Sequence, residues 1–438
     1  MNDSWTPVHL EDIFTPGRGI SYSANDLKDA DGTGSPFITI KNFNKGGGFN
    51  HKGLKTYSGP DFPRHRLEPE ALLIANTDVT RDAEIIGAPL LVPALDDRPL
   101  FSMDVNQLTP TGKLGYVDPR YIFFRLCIAD ARSHMQKVSA GSTVLHLHVK
   151  DALKFRFDLP PVSEQTKIAQ ILDTLDTQIQ KTEALIAKLE KIKEGLLHDL
   201  LTRGIDQNGQ LRLTPEQAPE LYKKSTLGLI PGAWDLSDLG TVSVSSVIGP
   251  FGSDLVASDY RDEGVPVIFV RDVAGAQYDR VSQVFVSQRK AQSLSAHEVK
   301  AGDLLLTKMG LPPCISAVYP NHEPAGIITA DIVRLRLREK VAPDWARYFV
   351  NSEAVKAQVR GITAGVTRPK VTLKDVRNLK IAIPDIEEQA RILNILQRSS
   401  SQLKSESSNL AKLRAQKSGL MDDLLSGRVR VTPLLANS

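Results

Sequence analysis

The chain has 438 residues, 41% hydrophobic and 24% charged, enough for two or three domains with their own cores and too apolar for a disordered polymer. No run approaches roughly 18 uninterrupted apolar residues, which argues against a membrane span, and MNDSWTPVHLEDIF lacks the basic-then-apolar pattern of a signal peptide. A net charge of +3 admits a nucleic-acid partner without demanding one, and two distant cysteines, Cys127 and Cys314, without metal-ligand spacing suit a reduced, cytoplasmic protein.

In chain order, 1–158 reads as a first mixed globular region. Short β-rich runs, PFITIKNF, LLIAN (72–76) and IIGAPLLV (85–92), alternate with turn clusters, and a helical stretch follows at 118–138. From 159 to 205 the apolar residues Ile168, Leu172, Leu175, Ile179, Ile186, Leu189, Leu196 and Leu200 step by fours and threes along one stripe, with Thr182 filling a gap. That predicts a helix of about 40 residues, or ~60 Å, with Ser163 as a candidate cap. The Gly, Pro, Gln and Asn content of 206–230 reads as a surface linker. A second globular region, 231–382, carries VPVIFV, DLLLT (303–307) and a helical stretch at 342–359. A second long helix occupies 383–428, with its stripe at Ile392, Leu396, Leu403, Leu410, Leu413, Leu420 and Leu424, broken by Ser399 and Glu406. Asp385 with Glu388 suggests a capping box at its start, and 429–438 is a tail.

The two halves repeat one another. At an offset of 224 residues, Glu164 falls on Glu388, Gln165 on Gln389, Ile168 on Ile392, Leu172 on Leu396, Leu189 on Leu413 and Lys193 on Lys417. GLLHDLL (195–201) matches GLMDDLL (419–425), and AGSTVLHLHVKD (140–151) matches AGVTRPKVTLKD (364–375). A repeat of half the chain is too long for a solenoid and marks a duplicated domain. The expected fold is therefore α+β: two duplicated α/β domains joined by two long helices that pack as an antiparallel coiled coil with pseudo-two-fold symmetry. A stripe this narrow buries one seam, so each helix needs the other as partner. The pair is either a brace between two domains or a ruler that holds two binding domains apart, with Ser399 and Glu406 setting register.

Catalytic equipment is not evident. The sequence lacks a G-x-x-x-x-G-K-[ST] phosphate loop and a glycine-rich cofactor loop in a βαβ setting. DLPPVS (158–163) lacks the aromatic residue that follows the prolines in an amino-methyltransferase motif, and it sits at a helix entry. Glu298-Val299-Lys300 has no nearby Pro-Asp to complete a nuclease site and reads as a solvated strand end. His146 and His148 are too few for a metal site. GPFGSD (249–254) reads as a turn that also suits close approach to a DNA backbone.

Pro384…Glu388-Gln389 with its first-half partner, IGPFGSDLVASDYRDEGVPVIFVRDV (248–273), Gly302-Asp303-Leu304-Leu305, the AGST and AGVT segments, and Gly228-Leu229-Ile230-Pro231 with Trp234 together carry a resemblance. The chain resembles the specificity subunits of type I restriction–modification systems, over nearly its whole length. Residues 16–43 follow the second-half pattern only loosely.

The resemblance implies a non-catalytic subunit whose globular halves are target recognition domains. Each would read one half of an interrupted, asymmetric double-stranded DNA site. The helices would set the gap and bind two methyltransferase subunits, which carry S-adenosylmethionine and methylate adenine N6. Restriction subunits using ATP and Mg²⁺ would complete the complex. Half-sites one helical turn apart lie ~34–36 Å from each other, within reach of two ~60 Å helices. The competing reading is an interaction scaffold of a related modification-based defence system, without DNA specificity of its own. Base reading calls for Arg, Lys, Asn or Gln. The candidates are Lys41, Asn42, Asn44, Lys45, Arg271 and Asp272 just after the strand runs, with Arg81, Lys308, Arg368 and Lys370 as backbone contacts.

Overall fold

The computed structural model describes residues 5–29, 33–80, 82–363 and 369–435. They fall into two compact units: residues 1–184 with 407–438 (unit 1), and residues 185–406 (unit 2). Six helices carry most of the argument: α1 (Pro119–Cys127), α2 (Ala129–Lys137), α3 (Val162–Thr202), α4 (Pro343–Val350), α5 (Glu353–Thr363) and α6 (Ile386–Leu425).

Each unit repeats one sheet plan. In unit 1 a four-stranded antiparallel sheet runs Phe14–Arg18, Val105–Pro110, Leu72–Ala75, Pro89–Leu91; in unit 2 the order is Ser243–Ile248, Ile332–Leu337, Leu304–Thr307, Ser316–Val318. The third strand of each, LLIA or LLLT, is buried at all four positions, as an unbroken apolar run in a sheet covered on both faces requires. A second sheet in each unit contains one parallel pairing, Ser35–Ile38 with Leu100–Phe101 and Val265–Ile268 with Gly326–Ile328. The first strand of each domain pairs antiparallel with its last: Thr6–His9 with Arg156–Leu159, and Asp235–Asp238 with Lys380–Ile383. Prolines at 160, 161 and 384 then end the strand, because proline cannot donate to a ladder, and the long helix begins.

The long helices have 41 and 40 residues, about 60 Å each. Each is divided between the units. Unit 1 takes the first half of α3 and the second half of α6, and unit 2 takes the remainder. Within unit 1 the halves run antiparallel, since Asp176 pairs with Lys417 at 2.5 Å and Glu183, further along, pairs with Arg414 at 2.6 Å. Ile168, Leu172 and Leu424 are buried in the core of unit 1 beside Tyr121, Phe124 and Phe157. Leu200, Ile392 and Leu396 are buried in the core of unit 2 beside Trp234, Trp345 and Phe349. The helix ends are therefore embedded in the domains. Leu175 is also buried, whereas Ile179, Ile186, Leu189, Leu196, Leu403, Leu410, Leu413 and Leu420 are half-buried, as are Ser399 and Glu406. Thr182, buried in the stripe, satisfies its hydroxyl by donating to the Gln178 carbonyl at 2.8 Å.

Several expectations are corrected. The stretch 118–138 is not one helix: Ile128 turns extended between α1 and α2, and Asp130 accepts from its neighbour's N–H at Ala131. The stretch 342–359 breaks at Asn351, whose side chain accepts from the Ser316 N–H and donates to the Ser316 carbonyl, binding a strand instead of continuing the helix. Residues 206–230 lie mostly at the surface, but they are not an irregular tether. They form a hairpin, Tyr222–Ser225 with Gly228–Pro231, and Ala218 and Ile230 are buried. Ser163 lies inside α3, so Pro161 takes the cap position. Asp385 does cap α6 by accepting from the Glu388 N–H at 2.7 Å, but the Glu388 side chain is engaged elsewhere, so the reciprocal half of a capping box is not made.

The burial pattern sets an order of costs. Leu396→Ala should destabilise unit 2 by about 2–5 kcal/mol through cavity formation, and Leu403→Ala on the same helix by roughly 1 kcal/mol. Urea unfolding followed by tryptophan fluorescence checks the ranking; equal costs would contradict it.

Candidate nucleic-acid interface

The repeated Glu-Gln pair is the best-defined polar site of each unit. Gln165 is buried at the start of α3. Its Oε1 accepts from the Asp118 N–H at 2.9 Å, and its Nε2 donates to the Pro160 carbonyl at 2.8 Å. Gln389 does the same in unit 2, accepting from the Ala342 N–H at 2.8 Å and donating to the carbonyls of Pro384 (2.8 Å) and Lys340 (3.0 Å). Each glutamine thus ties the start of a long helix to the chain that enters α1 or α4.

The neighbouring glutamate reaches beyond the far end of the other long helix. Glu164 accepts from Arg430 Nε at 2.9 Å and Nη2 at 2.5 Å. Glu388 receives both arms of Arg212 at 2.5 and 2.9 Å, the Ile205 N–H at 2.9 Å and the Trp234 indole N–H at 3.1 Å. Both carboxylates are 1% exposed, and these donors take the place of the water that would otherwise solvate them. The hydrogen bond to Glu388 holds the Arg212 guanidinium above its ordinary pKa, against the opposing effect of burial. The arginines were missed from sequence although a signal was present: Arg212-Leu213-Thr214-Pro215 and Arg430-Val431-Thr432-Pro433 are near copies, one after each long helix.

The candidate DNA contacts lie on loops. In unit 1, Lys41, Asn42 and Asn44 sit on and after the turn Ile40–Asn42. Asn42 is buried, accepts from the Thr39 N–H at 2.9 Å and donates to the Asn50 carbonyl at 3.3 Å. In unit 2 the matching turn is Val270–Asp272. Asp272, also buried, accepts from the N–H groups of Phe269 (2.7 Å) and Ser282 (2.8 Å). Asn42 and Asp272 therefore hold the turn together, and their polar atoms are spent inside the fold. This corrects their assignment as base readers. Lys41 is exposed. Asn44 is exposed and donates to the Phe49 carbonyl at 3.2 Å; Lys45 pairs with Glu84 at 2.5 Å, an exposed pair whose hydrogen bond raises the lysine pKa. Exposed Arg271 donates from Nε to Ser282 Oγ at 2.6 Å, with its guanidinium 4.7 Å from the Phe269 ring centroid. Among the described residues its two terminal nitrogens have no hydrogen-bond partner.

A second loop cluster in unit 2 brings Lys308 and Lys370 together. Met309 bridges to Lys370, the Val371 N–H donates to the Lys308 carbonyl at 3.0 Å, and Lys308 Nζ lies 4.7 Å from the centroid of Phe251. Phe251 is 55% exposed in the GPFGSD loop and was not among the expected contacts. Neither lysine has an acidic partner among the described residues. The equivalent loop of unit 1 is organised by buried Asp78. Burial pushes its pKa up, but hydrogen bonds from Thr80, Ile85 and Ile86 outweigh that and hold the carboxyl below its usual range. Arg81 and Arg368 lie outside the described residues.

Comparison with known proteins follows from this architecture. A family model described as the type I restriction modification DNA specificity domain matches residues 2–191 and 264–414. The chain is 24% identical over 324 residues to the specificity subunit of type I restriction enzyme MjaVIII of Methanocaldococcus jannaschii, covering 73% of this chain and 72% of that one. It is 23% identical over 400 residues to the EcoBI specificity subunit of Escherichia coli, covering 90% and 78%. Its fold is similar to the S subunit of a type I restriction–modification system from M. genitalium (TM-score 0.55, 13% identity, 97% and 96% covered). It is also similar to a chain solved in a study of complex assembly in a type I system (TM-score 0.56, 18% identity, 97% and 98% covered).

The turn residues separate by role. Asp272→Ala should cost about 1–2 kcal/mol of stability, as loss of a cap does. Arg271→Ala should stay within roughly 0.5 kcal/mol of the parent. Urea titration of both variants checks this, and a larger loss in the Arg271 variant would contradict the division.

Proposed function

The chain belongs to the family of type I restriction–modification specificity subunits, and we propose that each of its units reads one half of a bipartite, asymmetric site on double-stranded DNA. As a member of that family it is the non-catalytic, sequence-choosing component. The observation that carries the bipartite reading is the duplication itself. Two domains share one sheet plan and one helix anchor but present different loop residues: Lys41, Asn44 and Lys45 in the first, Arg271, Lys308 and Lys370 in the second. Unlike side chains on a common scaffold read unlike sequences.

On this reading the helix pair fixes the separation of the half-sites and supplies the surface gripped by two adenine-N6 methyltransferase subunits. Those subunits would bring S-adenosylmethionine, and restriction subunits working with ATP and Mg²⁺ would join through them in the cytoplasm. This chain's own contribution is position. Exposed cations hold phosphates, and Arg271, braced by Ser282 and Phe269, offers its remaining donors to a base edge.

A base-resolution adenine-methylation map of the host, with and without the gene, tests the proposal. Loss of methylation at one interrupted, asymmetric motif is the expected outcome; identical maps would contradict it. Restoring the gene as Arg271→Ala should relax one base of one half-site, with discrimination there falling by about 1–3 kcal/mol. An unchanged motif would remove Arg271 from the reading surface.

A further inference from the structure

The duplication provides an internal control for the surface where domain and helix pair meet. At the 224-residue offset, Asp176, Lys417, Arg120 and Asp173 of unit 1 fall on Ser400, Lys193, Asp344 and Gln397 of unit 2. In unit 1 the charges cancel locally. Lys417 Nζ pairs with Asp176 at 2.5 Å, and Arg120 pairs with Asp118 at 2.8 Å and with Asp173 at 3.4 Å. In unit 2 both helix carboxylates have been replaced by neutral side chains, while the lysine remains.

What the replacement leaves is a groove of about 660 Å³ whose lining includes Lys193, Arg347, Tyr348, Gln397, Ser400 and Lys404. Arg347 is held by Asp344 at 2.9 Å and lies 4.0 Å from the centroid of Tyr348. Among the described residues, Lys193 and Lys404 have no acidic partner. The Ser400 hydroxyl is buried and, among the described residues, has no hydrogen-bond partner. Three cations thus face one carboxylate, beside an unpaired donor, at a place that the other unit fills with Asp176. Lys193 and Lys404 are left without a counter-charge among the described residues, so an anion from outside completes this surface.

We propose that the groove accepts a carboxylate side chain of the methyltransferase subunit, seated against Lys193 as the Asp176 carboxylate is seated against Lys417. The inference rests on the helix-pair recruitment proposed above. A protein carboxylate is favoured over a DNA phosphate because the groove is built on the helices, whereas the unpaired lysines Lys308 and Lys370 occupy the separate loop cluster. It also fits the slot's own precedent, a carboxylate. The two helix-pair surfaces offered to identical partners are then chemically unequal, and only that of unit 2 calls for an acidic contribution from the partner.

Ser400→Asp tests this by supplying the carboxylate from within, as unit 1 does. Affinity for the cognate methyltransferase subunit, measured by titration at several salt concentrations, should fall about tenfold, with a shallower salt dependence and unchanged thermal unfolding. Lys404→Glu, at an exposed position, should weaken binding in the same direction and guards against a folding artefact. Unchanged methyltransferase affinity in both variants would overturn the inference while leaving recruitment intact. Loss of DNA affinity with intact methyltransferase binding would assign the groove to phosphate and overturn it equally. Failure of the parent chain to bind the methyltransferase at all would overturn the recruitment reading itself, and this inference with it.

Discussion

Everything distinctive in this molecule depends on a carboxylate that opens one long helix and is neutralised by an arginine lying just past the end of the other. Glu164 with Arg430, and Glu388 with Arg212, tie the start of each long helix to the segment that follows the other. Burying such a pair is costly, and apolar residues of equal volume would often be as stable. What the pair supplies is selectivity among registers. A heptad-like stripe alone tolerates slips of one turn, and here the stripe is only half-buried along its middle. A one-turn slip of ~5.4 Å would pull each carboxylate away from its present guanidinium unless the segment carrying the arginine moved with it. The adjacent glutamine makes the arrangement consequential, since it ties the same helix start to the body of the domain.

Much of this was legible in the sequence, for identifiable reasons. A 224-residue repeat, apolar residues at steps of three and four, and prolines before both helices fix an α+β duplication with paired long helices; each signal is local or periodic, and chain order preserves it. The parts that escaped are those in which distant residues define one another. Glu388 read as half of a capping box because Asp385 is three residues away, yet its partners are Arg212, Ile205 and Trp234, more than 150 positions upstream. The Gly, Gln and Asn content of 206–230 pointed to a linker, although that segment carries the arginine and the hairpin that close unit 2.

The candidate interface shows the same limit on a smaller scale. Polar residues after a strand run are equally good readers and turn-builders on paper. In the fold, Asn42 and Asp272 build the turns and Lys41 and Arg271 remain at the surface, an alternation set by which side of a single 3₁₀ turn each residue occupies. The duplicated halves share the builders' positions and differ at the surface, the division of labour that one scaffold serving two targets needs. The Lys193–Ser400 groove extends that logic to the helices, where a difference between equivalent positions becomes visible only once the repeat is superposed residue by residue.

The central claim, that the buried Glu–Arg pair couples the two helices, is tested most directly by a double-mutant cycle on Glu388→Gln and Arg212→Met in a Trp5→Phe background. There the remaining tryptophans, Trp234 and Trp345, report on unit 2 alone. Urea unfolding of the four proteins should give a coupling energy of roughly 1–3 kcal/mol. Strictly additive losses would mean that the two side chains are neighbours without being partners, and the register would have to be set by the apolar seam.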